Sequence, residues 1–458
     1  MKRIIIPILV MILICSASVV LAGQVEELDL DFKGNTNQAI IYSSDLEEWR
    51  TVTSFDLELS RDFGFDKSIF INPSLEYEYS FKDDEGDILA GLDEGYFDLY
   101  LKDADIRIGK QEVNWGSGYK LNPTDKVNPM NLTVEDPIEA EIGVWALKGK
   151  YYYDYNTSLS GVAVADFEPA LLPEGVITTK KSNLKSNFKG NLKDKAGQQI
   201  EAIIREKLKG YPEPIINKAI EEAKEEKFAA IDQSIKENLS FATIEPEVDG
   251  LDKAEYAMKF TRRDLLGYDL SISLFCGYED LPSLKSDLSK VGDKILDNKE
   301  ATIEFGYKRT NTVGIDAIGS IKNIGVWAET AYSQNEDKEK TMEAVIGGDY
   351  TFKNNLYTVV QAYHRNYHDY QIEQEDLNYL MVYNRLPIQQ IHQCTSTAIY
   401  DLDNQEYLIN PELKISLKNN LALDVGTVIM SDLEDVGQDA LIKMLGEKKS
   451  YLNLTYNF

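Results

Sequence analysis

From Leu28 to the last residue, apolar and polar side chains alternate with a period of two in short runs separated by turn residues. That period belongs to strands, because successive side chains leave opposite faces of an extended backbone. Sixteen runs fit it, at about 28–42, 50–60, 68–81, 92–102, 104–112, 140–152, 155–166, 251–262, 268–278, 304–320, 324–334, 341–352, 356–367, 406–417, 421–431 and 449–458. Their connections alternate in length. Asp62 to Lys67, Lys102-Asp103, Asp154-Tyr155, Ile321-Lys322-Asn323, Lys353-Asn354-Asn355 and Lys418-Asn419-Asn420 are short and turn-like, and every second connection is usually longer. One face of the runs is apolar: Phe55, Leu57 and Leu59; Leu75, Tyr77, Tyr79 and Phe81; Phe97, Leu99 and Leu101; Met342, Ala344 and Ile346; Leu421, Leu423 and Val425. An even number of antiparallel strands, apolar outside and polar inside, with turns on one rim and loops on the other, is the pattern of a transmembrane β-barrel. The expectation is an all-β barrel of about sixteen strands, with fourteen to eighteen compatible if a long run is misdivided. A large soluble β-sandwich or β-helix would alternate similarly, so the chain ends carry the decision.

The last eight residues, Tyr451-Leu452-Asn453-Leu454-Thr455-Tyr456-Asn457-Phe458, place Leu452, Leu454, Tyr456 and Phe458 on one face. Left bare, such a strand is an aggregation-prone edge; in a closed barrel it pairs with the first strand. This ending resembles the terminal strand of bacterial outer-membrane β-barrels, in which a final Phe is recognised by the insertion machinery. The resemblance implies outer-membrane lipid and that machinery as partners. At the other end, Lys2 and Arg3 precede an apolar run from Ile4 to Leu13, and Val20-Leu21-Ala22 forms a small-residue cleavage site before Gly23. Residues 1–22 therefore read as an export signal and 23–458 as the mature barrel of a two-membraned bacterium. Beyond residue 22 no apolar stretch approaches the roughly 20 residues that a membrane helix needs.

Residues 167–250 break the alternation. Ala196, Ile200, Ile203, Ile204 and Leu208 form one helical stripe, and Ile216, Ile220, Ala223, Phe228, Ile231 and Ile235 another, with Gly210-Tyr211-Pro212 between them. Two amphipathic helices in a long outer loop are expected. Such an insert is compatible with a cap over a pore, a plug within it, contact with a neighbouring copy, or surface decoration. The 368–405 stretch, with Leu377, Leu380, Met381 and Leu386, reads as a second, partly buried loop.

Composition agrees with dispersed apolar residues: 27 Tyr and 16 Phe accompany a mean hydropathy of −0.33. A net charge of −29 argues against nucleic-acid partners. Cys276 and Cys394, the cysteines left after signal removal, read as free thiols, with a single bridge between them as the alternative. No catalytic set, cofactor motif or metal spacing emerges. His364 and His368 stand four apart but lack the Glu of a metalloprotease motif, and His392 is isolated.

The inward positions carry the informative chemistry. Asp56, Glu58, Glu76, Glu78 and Asp98 fall on the second to fourth strands, and Arg107, Lys148, Lys150, Lys259 and Lys308 on the fifth, sixth, eighth and tenth. Opposed acidic and basic arcs in a water-filled lumen would set a transverse field that orients solutes and tunes ion preference. The segment Arg107-Ile-Gly109-Lys-Gln111-Glu-Val-Asn114-Trp115-Gly116-Ser-Gly118, continuing through Pro123, Asp125 and Asn128-Pro129, resembles porin-like outer-membrane families, among them alginate-export-type barrels. Beyond residues 107–129 the resemblance is one of architecture. Its glycines permit tight turning and its prolines stiffen the 113–139 loop. Two placements follow: the loop folds inward, with Asn114, Asp125 and Lys126 narrowing the lumen, or Trp115 anchors it at the lipid interface. The resulting expectation is a passive channel for small hydrophilic solutes with a weak cation preference, and no enzyme. The alternatives are an export barrel for an anionic polymer, as the resemblance implies, or a plugged structural or adhesive barrel. The resemblance also admits a homotrimer.

Overall fold

A computed structural model describes residues 30–134, 140–172, 174–244, 253–367, 375–389, 391–418, 420–431 and 448–458. The expected export signal, His368 and, within the expected 167–250 insert, residues 173 and 245–250 lie outside them. The first strands are β1 (Asp31–Ser43), β2 (Glu48–Asp62), β3 (Lys67–Ser80), β4 (Glu85–Tyr100), β5 (Ala104–Gln111), β6 (Val144–Asp154) and β7 (Thr157–Val164). Helices α1 (Glu174–Lys207) and α2 (Glu213–Asn238) follow, then β8 (Leu239–Ile244), β9 (Glu255–Leu265), β10 (Tyr268–Tyr278), β11 (Ser283–Leu284), α3 (Leu288–Leu296) and β12 (Ala301–Gly306). The remainder is β13 (Arg309–Ile321), β14 (Ile324–Asn335), β15 (Lys340–Thr351), β16 (Tyr357–Tyr367), β17 (Glu375–Ile388), β18 (His392–Asp401), β19 (Tyr407–Lys418), β20 (Leu421–Met430) and β21 (Lys449–Asn457).

All of these strands except β8, β11 and β12 form one eighteen-stranded antiparallel sheet. It closes on itself because β21 pairs with β1, from Asn35↔Asn457 to Ser43↔Lys449. Phe458 extends the seam: its N–H donates to the Gly34 carbonyl at 2.9 Å, and the Gly34 N–H donates to its carbonyl at 3.0 Å. Closure satisfies every edge, the condition for crossing lipid with strands. The outward face is apolar and exposed at Ile108, Leu147, Ile272, Leu274, Val313, Ile315, Met342, Ile346, Val360 and Val425, among others. No described helix is long and apolar enough to cross a membrane.

Eighteen strands correct the expected sixteen. The additional pair is the hairpin β17–β18, in the stretch that reads as a partly buried loop. Its inward positions Leu377, Tyr379 and Met381 are themselves apolar and buried. With both faces of β17 apolar, the period-two signal disappears from the sequence. In β18 the signal fails for the opposite reason, since its outward row includes Cys394, Ser396 and Ala398. A second correction concerns the expected strand 304–320, which divides at Tyr307-Lys308. Ala301, Ile303 and Phe305 alternate as a barrel strand would, but they belong to a different sheet.

That sheet lies in a second compact unit, residues 172–248 and 279–308. In it β12 pairs in parallel with β8 and antiparallel with β11. Phe188, Leu192 and Ala196 of α1, Ile231 and Ile235 of α2, Val291 and Ile295 of α3, and Ala301 and Ile303 form its core. Both expected helices are present, α1 beginning well before its apolar stripe, although Ile203 of that stripe is exposed. Helix α3 starts at Asp287, whose carboxylate accepts from Ser289 N–H at 3.0 Å and Lys290 N–H at 3.4 Å. On the helical hairpin, hydrogen bonds from Lys193 and Lys189 hold the Asp232 carboxyl below its ordinary range.

Candidate functional site

The segment between β5 and β6 folds into the barrel and crosses it as a strut. It begins where Asn128 gathers the loop: its Oδ1 accepts from Val113 N–H at 2.7 Å, and its Nδ2 donates to the Ile142 carbonyl at 2.7 Å. Val113, Trp115 and Val127 then pack on inward residues of neighbouring strands, Val144, Ala146, Val162, Val164, Ala257 and Phe275. Trp115 is only 7% exposed. The indole therefore sits inside the barrel and not at the lipid interface. Gly116, at φ +102°, turns the backbone where a side chain would be strained.

Past that turn the strut bonds to β13–β16. One oxygen of Glu329, Oε2, accepts from Ser117 N–H at 2.8 Å and Gly118 N–H at 3.1 Å. The other, Oε1, accepts from Thr124 N–H at 2.5 Å. Ser117 Oγ donates to Asp316 Oδ1 at 2.6 Å. Gln361 clasps Tyr119 through both groups, its Oε1 accepting from Tyr119 N–H at 2.8 Å and its Nε2 donating to the Tyr119 carbonyl at 3.0 Å. Trp327 Nε1 donates to the same Gln361 Oε1 at 2.6 Å. The Tyr119 ring packs against Tyr383, tilted by 37° with ring centroids 5.1 Å apart. Lys126 pairs with Glu343 at 2.7 Å, and Arg365 approaches that carboxylate at 3.3 Å.

Of the three expected constriction residues, only Asn114 is exposed. Asp125 fastens the strut to itself, accepting from Trp115 N–H at 2.8 Å. Burial, with Glu141 beside it, pushes the Asp125 carboxyl well above the ordinary aspartate range. Lys126 fastens the strut to Glu343, as described.

The expected lumen charges divide unevenly. Asp56, Glu58, Glu76 and Glu78 stand on β2 and β3, where Glu58 pairs with Lys33 at 2.7 Å and Glu78 with Arg50 at 3.3 Å. The two arcs meet at Asp98 and Arg107, register partners on β4 and β5. Arg107 donates from Nε to Oδ1 at 2.7 Å and from Nη2 to Oδ2 at 2.9 Å, and its guanidinium lies 3.6 Å from the centroid of Tyr96. Lys259 pairs with Asp316 at 3.2 Å, beside the strut. Lys148 and Lys150, on β6, form no ion pair among the described residues, and Lys150 lies 5.2 Å from the Tyr152 ring. Lys308 stands apart. It falls between β12 and β13, outside any barrel strand, because the strand that carries it in the sequence pattern is divided there.

The residues that pattern reading missed are those that hold the strut: Ser117, Gly118 and Thr124 on the loop, and Asp316, Glu329, Glu343 and Gln361 on the strands. A signal for two of them exists. Asp316 and Glu329 are direct register partners, and like charges placed opposite each other destabilise a sheet unless something lies between them. Among the described residues no His, Cys, Asp and Glu cluster is arranged to hold a metal. His364 Nδ1 instead meets Asn378 Oδ1 at 2.9 Å, and His392 Nδ1 accepts from Ser416 N–H at 3.1 Å.

No protein-family model matches the chain, and no curated protein does. Solved structures do. Pseudomonas aeruginosa OccK5 (OpdH) aligns with a TM-score of 0.50 at 8% identity, covering 94% of this chain and 97% of that one. Acinetobacter baumannii OccAB3 aligns with a TM-score of 0.48 at 6% identity, covering 94% and 98%. Salmonella typhi OmpF, solved with daunomycin, aligns with a TM-score of 0.42 at 10% identity, covering 94% and 97%. These neighbours are outer-membrane porins, and no alginate-export-type barrel is among the three. At such identities the likeness extends to the fold alone: the chain has the β-barrel of the OccK5 type over nearly its whole length.

Proposed function

We propose that the protein is an outer-membrane porin-like channel through which small hydrophilic solutes diffuse passively, with a weak preference for cations. The strut carries this reading. Sixteen to eighteen strands enclose an aqueous lumen too wide to be filled by their own side chains, and a loop fastened across that lumen narrows it without sealing it. Selectivity then depends on the charges left beside the opening. Among the basic groups Lys126, Lys259 and Arg107 are each paired with a carboxylate. Asp56, Glu58, Glu76 and Glu78 concentrate four carboxylates on β2 and β3, which supports the cation preference. Passage needs no reaction and no cofactor.

Lys148 and Lys150 favour a second reading, in which an anionic solute or polymer is drawn past the strut. Reconstituting residues 23–458 in a planar bilayer under a potassium chloride gradient separates the two. Discrete ohmic steps with a cation-favouring reversal potential are expected. The combined variant Asp56→Asn, Glu58→Gln, Glu76→Gln and Glu78→Gln should abolish the preference. An anion-favouring potential in the wild type, removed by Lys148→Gln with Lys150→Gln, would establish the second reading.

A further inference from the structure

The outward face of the barrel contains a trough where the apolar band should be filled. Gly149 of β6 and Gly161 of β7 are register partners on the lipid-facing row. Ile106 stands on one side of them and Met258, Leu274 and Val313 on the other. The next row toward the long-loop rim adds Leu147, Ala163, Tyr256 and Cys276, and the whole encloses a groove of about 710 Å³. Glycine inside a strand lowers its stability, and commonly marks a bulge or a place where a ligand or another backbone comes close. No bulge explains this pair, since the β6–β7 register is regular through both residues and shifts only beyond Tyr152. Close packing within the chain does not explain it either: a Cβ built on Gly149 or Gly161 meets nothing within 4 Å. At the rim end of the groove Arg309 lies with its Nη2 3.9 Å from Cys276 Sγ and its guanidinium carbon 5.6 Å from the centre of the Tyr278 ring.

We propose that this trough is a binding site for a phosphate-bearing membrane lipid, with one acyl chain lying over Gly149 and Gly161 and the headgroup at the Arg309 end. The volume falls within the range of about 300–1,000 Å³ typical of pockets that bury a small molecule. A saturated chain matches its apolar lining, and the guanidinium matches a phosphate. The inference rests on the membrane-spanning reading above, and two native tryptophans allow each to fail separately. Trp145 is 51% exposed and two residues along β6 from Leu147, which places its ring beside the groove. Trp49, 53% exposed on β2, faces outward elsewhere, while Trp115 and Trp327 are buried.

The test is fluorescence quenching in nanodiscs as a phospholipid with brominated chains replaces the unbrominated one. Trp49→Phe leaves Trp145 as the exposed reporter, and Trp145→Phe leaves Trp49. Under the proposal Trp145 reaches half-quenching at a brominated fraction several-fold below that for Trp49. A preference of about fivefold to tenfold is what ten or so added carbon–carbon contacts would supply. Gly161→Leu, whose Cβ meets nothing within 4 Å, should occupy the trough and bring the two curves together. Curves that already coincide in the wild-type groove overturn the lipid site. Protection of Trp145, with release from a larger oligomer on Gly161→Leu, overturns it in favour of a second copy of this chain. If neither tryptophan is quenched, the barrel is not in lipid and the membrane reading itself fails.

Discussion

Replacing Glu329 with Ala tests the strut most directly. The buried carboxylate, 3% exposed, accepts three backbone N–H groups from Ser117, Gly118 and Thr124. A hydrogen bond to a charged group contributes about 1.5–3 kcal/mol, and an orphaned buried donor costs a similar amount. The three bonds share one acceptor and do not add, so a combined loss of about 3–4 kcal/mol is reasonable. Against this, the variant relieves the like-charge contact with Asp316, an opposing term of less than about 1 kcal/mol. The loss wins by about 2–3 kcal/mol, which raises the undocked population of the strut tip roughly 30- to 150-fold. The base of the strut should stay in place, because Asn128 and the Val113, Trp115 and Val127 packing are untouched. Single-channel recording should therefore show the same open barrel with more frequent excursions to a higher conductance and greater open-channel noise. Glu329→Gln keeps one acceptor oxygen and should fall between the two. Heat-modifiable, folded Glu329→Ala protein with steps of wild-type size and wild-type noise would refute the claim that this carboxylate holds the strut.

Three further outcomes follow from the same geometry. Because burial beside Glu141 raises the Asp125 carboxyl above its ordinary value of 3.8, the docked strut holds that proton more tightly than a free one. Its docking contribution is therefore complete below that ordinary value and lost as pH rises through the higher docked one, so channel noise should grow with pH in the wild type and not in Asp125→Asn; an equally steep rise in the variant would sink this assignment. Gly34→Val places a Cβ 2.5 Å from the Asp56 carbonyl and 2.7 Å from the Phe458 ring at the closing seam, and should abolish the heat-modifiable band in gel electrophoresis, whereas a retained band would show that the seam tolerates a side chain. Ile303→Ala, in the core of the second unit, should cost that unit about 2–5 kcal/mol and expose α1 and α2 to protease while the barrel stays heat-modifiable; equal protease resistance would argue that Ile303 is not part of its core.

Where lipid and water divide the two faces of a strand, the sequence was legible almost to the residue. β10 and β14 fall within a residue of their alternating runs because Ser271, Ser273 and Phe275 are enclosed while Ile272 and Leu274 face outward. Legibility ended where the inner face ceased to be polar. Tyr379 and Met381 face inward, yet β17 is as firmly paired to its neighbours as any other strand. Ala301, Ile303 and Phe305 show the converse. Period two says only that one side of a strand is buried, and the core of the helical unit buries it as well as a membrane does.

The strut was half legible for a related reason. Gly116, Gly118, Pro123 and Pro129 announce a stiff, turning loop, and nothing in a loop's own composition says which carboxylate will receive its N–H groups. That information lies in the strands it crosses. Asp316 and Glu329 face each other on adjacent strands, an arrangement a water-filled lumen alone would only partly screen. Their repulsion is offset on one side by Lys259 and on the other by the amide and hydroxyl groups of the strut. A cross-strand pair of like charges on an inward face is thus a statement about what is bound between them. The same reasoning applies to Arg107 and Lys148, which are also register partners. There Asp98 accepts two hydrogen bonds from Arg107, and Lys148 forms no ion pair among the described residues. The wall thus offers Lys148 and Lys150 of β6 to the lumen, so that a negatively charged solute moving past the strut would meet attraction from them and repulsion from the carboxylates of β2 and β3. Opposed charges on separate arcs of one lumen discriminate by the orientation of a solute's dipole more than by its net charge, which is why the cation preference proposed here is weak.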